Sequence, residues 1–128
     1  MTQSNTRSTN FEKVGDFQRE ILGNQYPEHS GMPPDPMLEL RCIQEELYEL
    51  AAAIQQKDLV EAADAVVDTL YFAYGLAFKM GLPIDEMFEI VHQANMTKIP
   101  AATLRRADDA VKPKGWVDPR VLLRMMVR

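Results

Sequence analysis

No lysine or arginine occurs between Lys57 and Lys79, and the stretch from Leu59 to Met80 is almost wholly apolar except for Glu61, Asp64 and Asp68. This stretch constrains the fold more than any other. It is too long for a strand of ordinary length, so it reads as a helix, opened by Asp58 as N-cap and stopped by Gly81. At ~100° per residue its apolar side chains cover nearly the whole circumference, which is the pattern of a helix enclosed by others. The three acids break the apolar run below the ~18 residues a membrane span requires, so no membrane partner is expected.

Glu61, Asp64 and Asp68 project within about 60° of one another by the i, i+3, i+4 rule. Glu61 stands three residues after Asp58 and has a bland reading as part of a capping box. Asp64 and Asp68 lack that reading. Aspartate is a poor helix former, and two of them on an enclosed helix destabilise it unless something neutralises them. A preceding segment, Pro36 to Lys57, places Leu40, Ile43, Leu47, Leu50 and Ile54 on one side and a second acidic row on another, with Glu46 and Glu49 about 60° apart and Glu45 on the flank. Taken alone, that row also reads as a solvated helix face. Two facing helices would present four or five carboxylates, a donor set suited to a hard divalent cation such as Mg²⁺.

The rest of the chain reads as further helices and connectors. Met1 to Asn10 is a polar tail without apolar period. Phe11 to Leu22 carries Phe11, Val14, Phe17 and Ile21 at helical spacing, and the Pro- and Gly-rich segment Gln25 to Asp35 is an extended connector. A fourth helix, Pro83 to Lys98, is expected to turn Ile84, Phe88 and Val91 to the core, with Asn95 and Lys98 on the same strip beside the acids. His92 at its edge reads as a packing residue. Pro100 to Trp116 is a polar loop, and Pro119 to Val127 a short terminal helix. No strand is expected. The reading is therefore an all-α bundle of four core helices plus a short C-terminal helix, one domain over residues 11–128. The loop brings Lys112 and Lys114 beside the only tryptophan, Trp116, a combination able to grip phosphates and cover a base, or to pin the tail to the bundle.

The formal net charge of -5 argues against a nucleic-acid polymer as partner. The single cysteine, Cys42, forms no internal disulfide, and no secretory leader opens the sequence, which points to the cytoplasm. The third helix is too apolar all round for the short helices of one chain to cover, so a homodimer or a dimer of dimers is expected. Two rival readings are a carboxylate-bridged di-iron bundle, for which Glu89 and His92 supply only one of the two Glu-x-x-His pairs needed, and a non-catalytic helical oligomerisation module.

The run Glu45-Glu46-Leu-Tyr-Glu49, followed by Glu61-Ala-Ala-Asp64-Ala-Val-Val-Asp68-Thr-Leu-Tyr, resembles the acidic motifs of the all-α nucleoside triphosphate pyrophosphohydrolases, which include MazG, phosphoribosyl-ATP pyrophosphohydrolase and the dimeric dUTPases. Val91-His92-Gln-Ala-Asn95-Met-Thr-Lys98 with Lys112-Pro-Lys-Gly-Trp116 looks like the small MazG-like enzymes of bacteria and phages that clear the nucleotide pool. The resemblance implies that Glu46, Glu49 and Asp68 bind Mg²⁺, with Mn²⁺ as the alternative ion. Ala65 stands where the motif glutamate is found, so the fourth ligand falls to Asp64 or to Glu61. It further implies that Asn95, Lys98 and Lys112 contact the triphosphate of a dUTP, another dNTP or a non-canonical nucleotide. Phe17, Gln18 and Trp116 are candidates for contacting the base, and Glu46 or Glu45 for accepting a proton from water as the monophosphate and pyrophosphate form.

Overall fold

The computed structural model describes residues 7–100 and 110–127, which separate into two compact units, residues 1–82 and 83–128. The secondary structure is helical apart from one two-residue ladder, as the all-α reading requires.

In the first unit, α1 (Asn10–Glu20) starts at a complete capping box, one residue earlier than the apolar period suggests. Thr9 Oγ1 accepts from the Glu12 N–H at 3.1 Å, and Glu12 Oε1 accepts from the Thr9 N–H at 2.8 Å. Of the expected tail, residues 1–6 lie outside the described residues. α2 (Met37–Gln55) and α3 (Leu59–Lys79) form an antiparallel hairpin. Its turn places Lys57 at φ 56, and the Asp58 N–H closes back onto the Ala53 carbonyl at 2.9 Å while the Asp58 side chain caps the Glu61 N–H at 3.1 Å.

Small residues let these helices approach closely. Ala53 on α2 and Ala65 and Ala77 on α3 are buried, and Gly75 lies so near Gln18 of α1 that an added Cβ would stand 3.2 Å from its Nε2. Val14 and Phe78 complete this core, with Tyr26 edge-on to Phe78 at 5.4 Å and Phe11 6.1 Å from Tyr74. The connector between α1 and α2 clasps the end of α3, where Gly31 donates to the Met80 carbonyl and Ser30 Oγ to that of Gly81. Gly81 adopts φ +66, and a Cβ there would press to 3.2 Å on His29 O and Pro27 Cβ, so glycine is required both by conformation and by space.

The second unit holds α4 (Ile84–Met96), the antiparallel pair β1 (Ile99–Pro100) and β2 (Ala110–Val111), and α5 (Arg120–Met126). The ladder, where no strand was expected, pairs Val111, inside the segment read as a polar loop, with Ile99 just before it, both β-branched. Residues 101–109 of that loop lie outside the described residues. Met87 is the buried residue of α4, whereas Phe88, expected in the core, is 66% exposed. The periodicity gave the right helix, but the face it buries is rotated by one residue.

α3 also departs from expectation. Leu59 and Val60 are 81% and 78% exposed, and Val66, Val67 and Leu70 remain about half exposed, because α1 and α2 cover only part of its circumference. Among the described residues no helix is long and apolar enough to cross a membrane.

Candidate active site

The α2–α3 hairpin has two unlike faces. Asp64 and Asp68 stand one turn apart on α3; the charges of both act on Glu46 of α2, and that of Glu49 of α2 acts on Asp68. Leu59, Ala63, Val66 and Leu70, spaced four, three and four residues apart, occupy the strip roughly 150° further round α3.

On the acidic face Glu46 is half-buried, and its carboxyl is pushed up to about 7. Burial is the largest cause, followed by a hydrogen bond shared with Glu49 and by the charges of Glu49, Asp68 and Asp64. Asp68 is also raised, by burial first and then by Asp64 and Glu49. Glu46 Oε2 is sealed from solvent and has no hydrogen-bond partner. Glu45 and Glu61 are exposed and take no part in these interactions. Asp64 is exposed as well, not enclosed as the apolar sequence around it suggested, because α1 and α2, the helices that pack on α3 within its unit, leave that flank open.

As the side chains stand, no three His, Cys, Asp or Glu residues among the described residues converge closely enough to hold one metal ion. The fit to a hard divalent cation rests on donor chemistry. Four carboxylates share one helix-lined face, one of them keeps its proton near neutrality, and one buried oxygen lacks a partner that a cation would supply.

The second unit carries the opposite charge. Trp116 is half-buried and donates its indole N–H to the Ala94 carbonyl at 2.9 Å. The Lys98 and Lys112 ammonium groups lie 5.5 and 4.9 Å from its ring centroid. Asn95 is exposed on the last turn of α4. Beside Trp116 a cleft of about 390 Å³ is lined by Ile90, Ala94, Thr97, Pro113, Val117 and Leu122 among others. Asp118 is held down to about 2, mainly by the Arg120 guanidinium and backbone N–H, at 2.6 to 3.1 Å.

Of the α1 candidates, Phe17 meets Tyr71 edge-on at 5.5 Å and stays about one-third exposed. Gln18 is buried against Gly75, and its Oε1 accepts from Asn24 Nδ2 at 2.8 Å, so its amide is engaged in packing. His92 is exposed, and Glu89 accepts from Gln93 rather than pairing with it. Two features escaped the sequence reading. A cleft of about 310 Å³ between α1 and α3 gathers Asn10, Lys13, Leu70, Tyr71 and Tyr74. Glu39, almost fully buried, pairs with Lys79 at 2.8 Å across the hairpin, and its Oε1 has no partner. The signal for Glu39 was its place one heptad before Glu46 on the same side of α2.

Residues 14–95 match the family described as phosphoribosyl-ATP pyrophosphohydrolase, a span that includes Glu46, Glu49, Asp64, Asp68 and Asn95. The chain is also similar to an uncharacterised protein of Acanthamoeba polyphaga mimivirus, 33% identical over 84 residues, which are 62% of this chain and 34% of that protein. The chain thus spans about a third of the length of this relative. The family match covers well over half of the sequence and includes both acidic rows, so the chain belongs to the phosphoribosyl-ATP pyrophosphohydrolase family, within the MazG-like all-α superfamily.

Proposed function

We propose that this protein is a Mg²⁺-dependent pyrophosphohydrolase that cuts a nucleoside triphosphate (dUTP, another dNTP or a non-canonical nucleotide) into its monophosphate and pyrophosphate. One observation carries the reading: Glu46, with a sealed and unpartnered oxygen, keeps its proton to about 7 among three further carboxylates on a face that the family match includes.

Glu46, Glu49, Asp64 and Asp68 would hold the ion, with Mn²⁺ as the alternative. When bound, the ion supplies positive charge to phosphate oxygens and acidifies a coordinated water. Glu46 is the favoured proton acceptor over the exposed Glu45, because a base works best with a pKa near the operating pH. The hydrogen bond shared with Glu49 orients it, and the charges of Glu49 and Asp68 raise its pKa. Asn95, Lys98 and Lys112 are assigned to the phosphates, where their donors suit anionic oxygens. No G-x-x-x-x-G-K loop for γ-phosphate hydrolysis occurs in the sequence. A screen of nucleoside triphosphates with Mg²⁺ and Mn²⁺, scored for pyrophosphate, tests the activity. Phosphorus NMR in ¹⁸O-water tests the bond cut: label in the monophosphate fits attack at the α-phosphorus, and a diphosphate with labelled free phosphate refutes it.

A second copy of the chain is the proposed cover for the exposed row Leu59, Val66 and Leu70, on the side of the hairpin away from the acids. A monomer mass by light scattering at micromolar concentration would overturn this.

A further inference from the structure

The sequence leaves Trp116 two roles, as a platform for a base or as an anchor. The geometry points to a third: we infer that Trp116 is a positioning residue that holds the Lys98 and Lys112 ammonium groups together as a two-pronged grip for a polyphosphate chain. This rests on the assignment of the two lysines to phosphate made above, and it changes what the tryptophan does there.

The argument starts from the end of α4. Its last carbonyls have no partner within the helix, and that of Ala94 accepts from the Thr97 N–H, from Thr97 Oγ1 and from Trp116 Nε1. The indole is therefore fixed in place and orientation by the helix end. Lys98 follows that end directly, with its N–H closing onto the Asn95 carbonyl at 3.0 Å, and Lys112 follows β2. Two ammonium groups repel each other and would diverge on free stems. The electron-rich indole ring attracts both, so each lies within the ~6 Å at which a cation feels a ring. The separation of the two charges is thereby capped by the sum of two short distances to one centroid. A base stacked on this ring would have to share it with two cations. A polyphosphate needs no such displacement, since each ammonium keeps donors to offer to its oxygens. Asp118, which feels the charge of Lys112, has its own oxygens gripped by Arg120.

Because Trp116 is the sole tryptophan, its fluorescence reports this cluster alone. The probe is inorganic tripolyphosphate, which has no base, titrated without divalent cation beside a phosphate-free nucleoside. Tripolyphosphate is expected to change the emission of Trp116, and the nucleoside to leave it unchanged. By calorimetry, Trp116→Leu is expected to weaken tripolyphosphate binding about tenfold and Trp116→Phe severalfold, with the Phe variant folded by circular dichroism. The decisive arm is the double-mutant cycle. Once Lys98→Met and Lys112→Met are in place, adding Trp116→Phe should have no further effect, since the tryptophan acts through the lysines. An additive loss, an unchanged affinity in Trp116→Phe, or emission that follows the nucleoside and not tripolyphosphate would each overturn the proposal. None of these measurements needs turnover. A protein that binds tripolyphosphate in this way yet releases no pyrophosphate from any nucleotide would overturn the hydrolase reading and leave this one standing.

Discussion

In the α2–α3 hairpin every influence on Glu46 raises its pKa, to about 7, whereas in the second unit Arg120 and Lys112 help to hold Asp118 down to about 2. One chain therefore contains an acidic cluster that has no counter-ion among the described residues and a basic cluster supplied with both an aromatic ring and a paired acid. The first gains from an added cation, and the second from an added anion. The difference also teaches how such clusters are built. Helix periodicity alone can align carboxylates at i, i+3 and i+4, so the acids need no loop to bring them together. The lysines come from either side of β1 and β2 and need a rigid third group to meet.

The largest effect that breaks or sharpens this contrast is on turnover. Asp68→Asn and Glu49→Gln are expected to lower kcat by about a hundredfold or more while the protein stays folded, because each removes a charged oxygen and keeps the side-chain shape. Wild-type pyrophosphate release by either variant would end the assignment of the acidic face.

Next comes an internal control within the same hairpin. Glu39 is a buried carboxylate of α2 that does have a cation, Lys79, at 2.8 Å. Lys79→Met strands that charge and is expected to destabilise the protein by roughly 3 kcal/mol in urea unfolding, opposite in sign to neutralising an acid of the unpaired cluster. Equal stability of Lys79→Met and wild type would show that pairing does not distinguish the two.

A smaller effect separates the two regions by pH. Glu46 in the folded chain keeps its proton between its ordinary 4.5 and about 7, where the unfolded chain has lost it, so the metal-free protein should lose stability as pH rises through that window. Melting curves from pH 5 to 8 should fall for the wild type and flatten for Glu46→Gln. Added Mg²⁺ should raise the melting temperature of the wild type at pH 8 more than that of Glu46→Gln. A wild-type profile that rises over this range would contradict the raised carboxyl.

The smallest effect has the opposite sign. Asp118 is ionised down to about 2 when folded and to about 3.8 when unfolded, so its contribution is present above 3.8 and disappears as pH falls toward 2. Asp118→Asn should remove that acid dependence from the second unit and slightly lower its stability at all pH values above about 4, with no change in slope near neutral pH. An acid limb identical to that of the wild type would show that the Arg120 fork contributes nothing measurable.

Much of the fold was legible in the residues. Asp58 as a cap, Gly81 as a stop and the apolar periods located five helices to within a few residues, because caps and periodicity are local properties of the backbone. Of the acids, i, i+4 spacing sufficed to put Asp64 beside Asp68. What it left open was the order among them: which is buried, which keeps a proton, and that Glu45 and Glu61 stand apart. These depend on the rotation of α2 against α3, which small residues such as Ala53 and Ala65 set by how closely they pack. Phe88 was placed inward for the same reason that Met87 was missed: a one-residue rotation of a short amphipathic helix changes the pattern little and the burial completely.

The sequence by itself determined the helices, the acidic rows and the shortage of cations between Lys57 and Lys79, since all three follow from residue type and spacing along one chain. Only the tertiary structure decided that Glu39 takes the cation Lys79 as a partner while Glu46 has none among the described residues, and that Lys98 and Lys112 share the ring of Trp116. Those are encounters between residues 14 to 40 positions apart or brought round a turn of chain, and their energies depend on burial and distance, which no local pattern encodes.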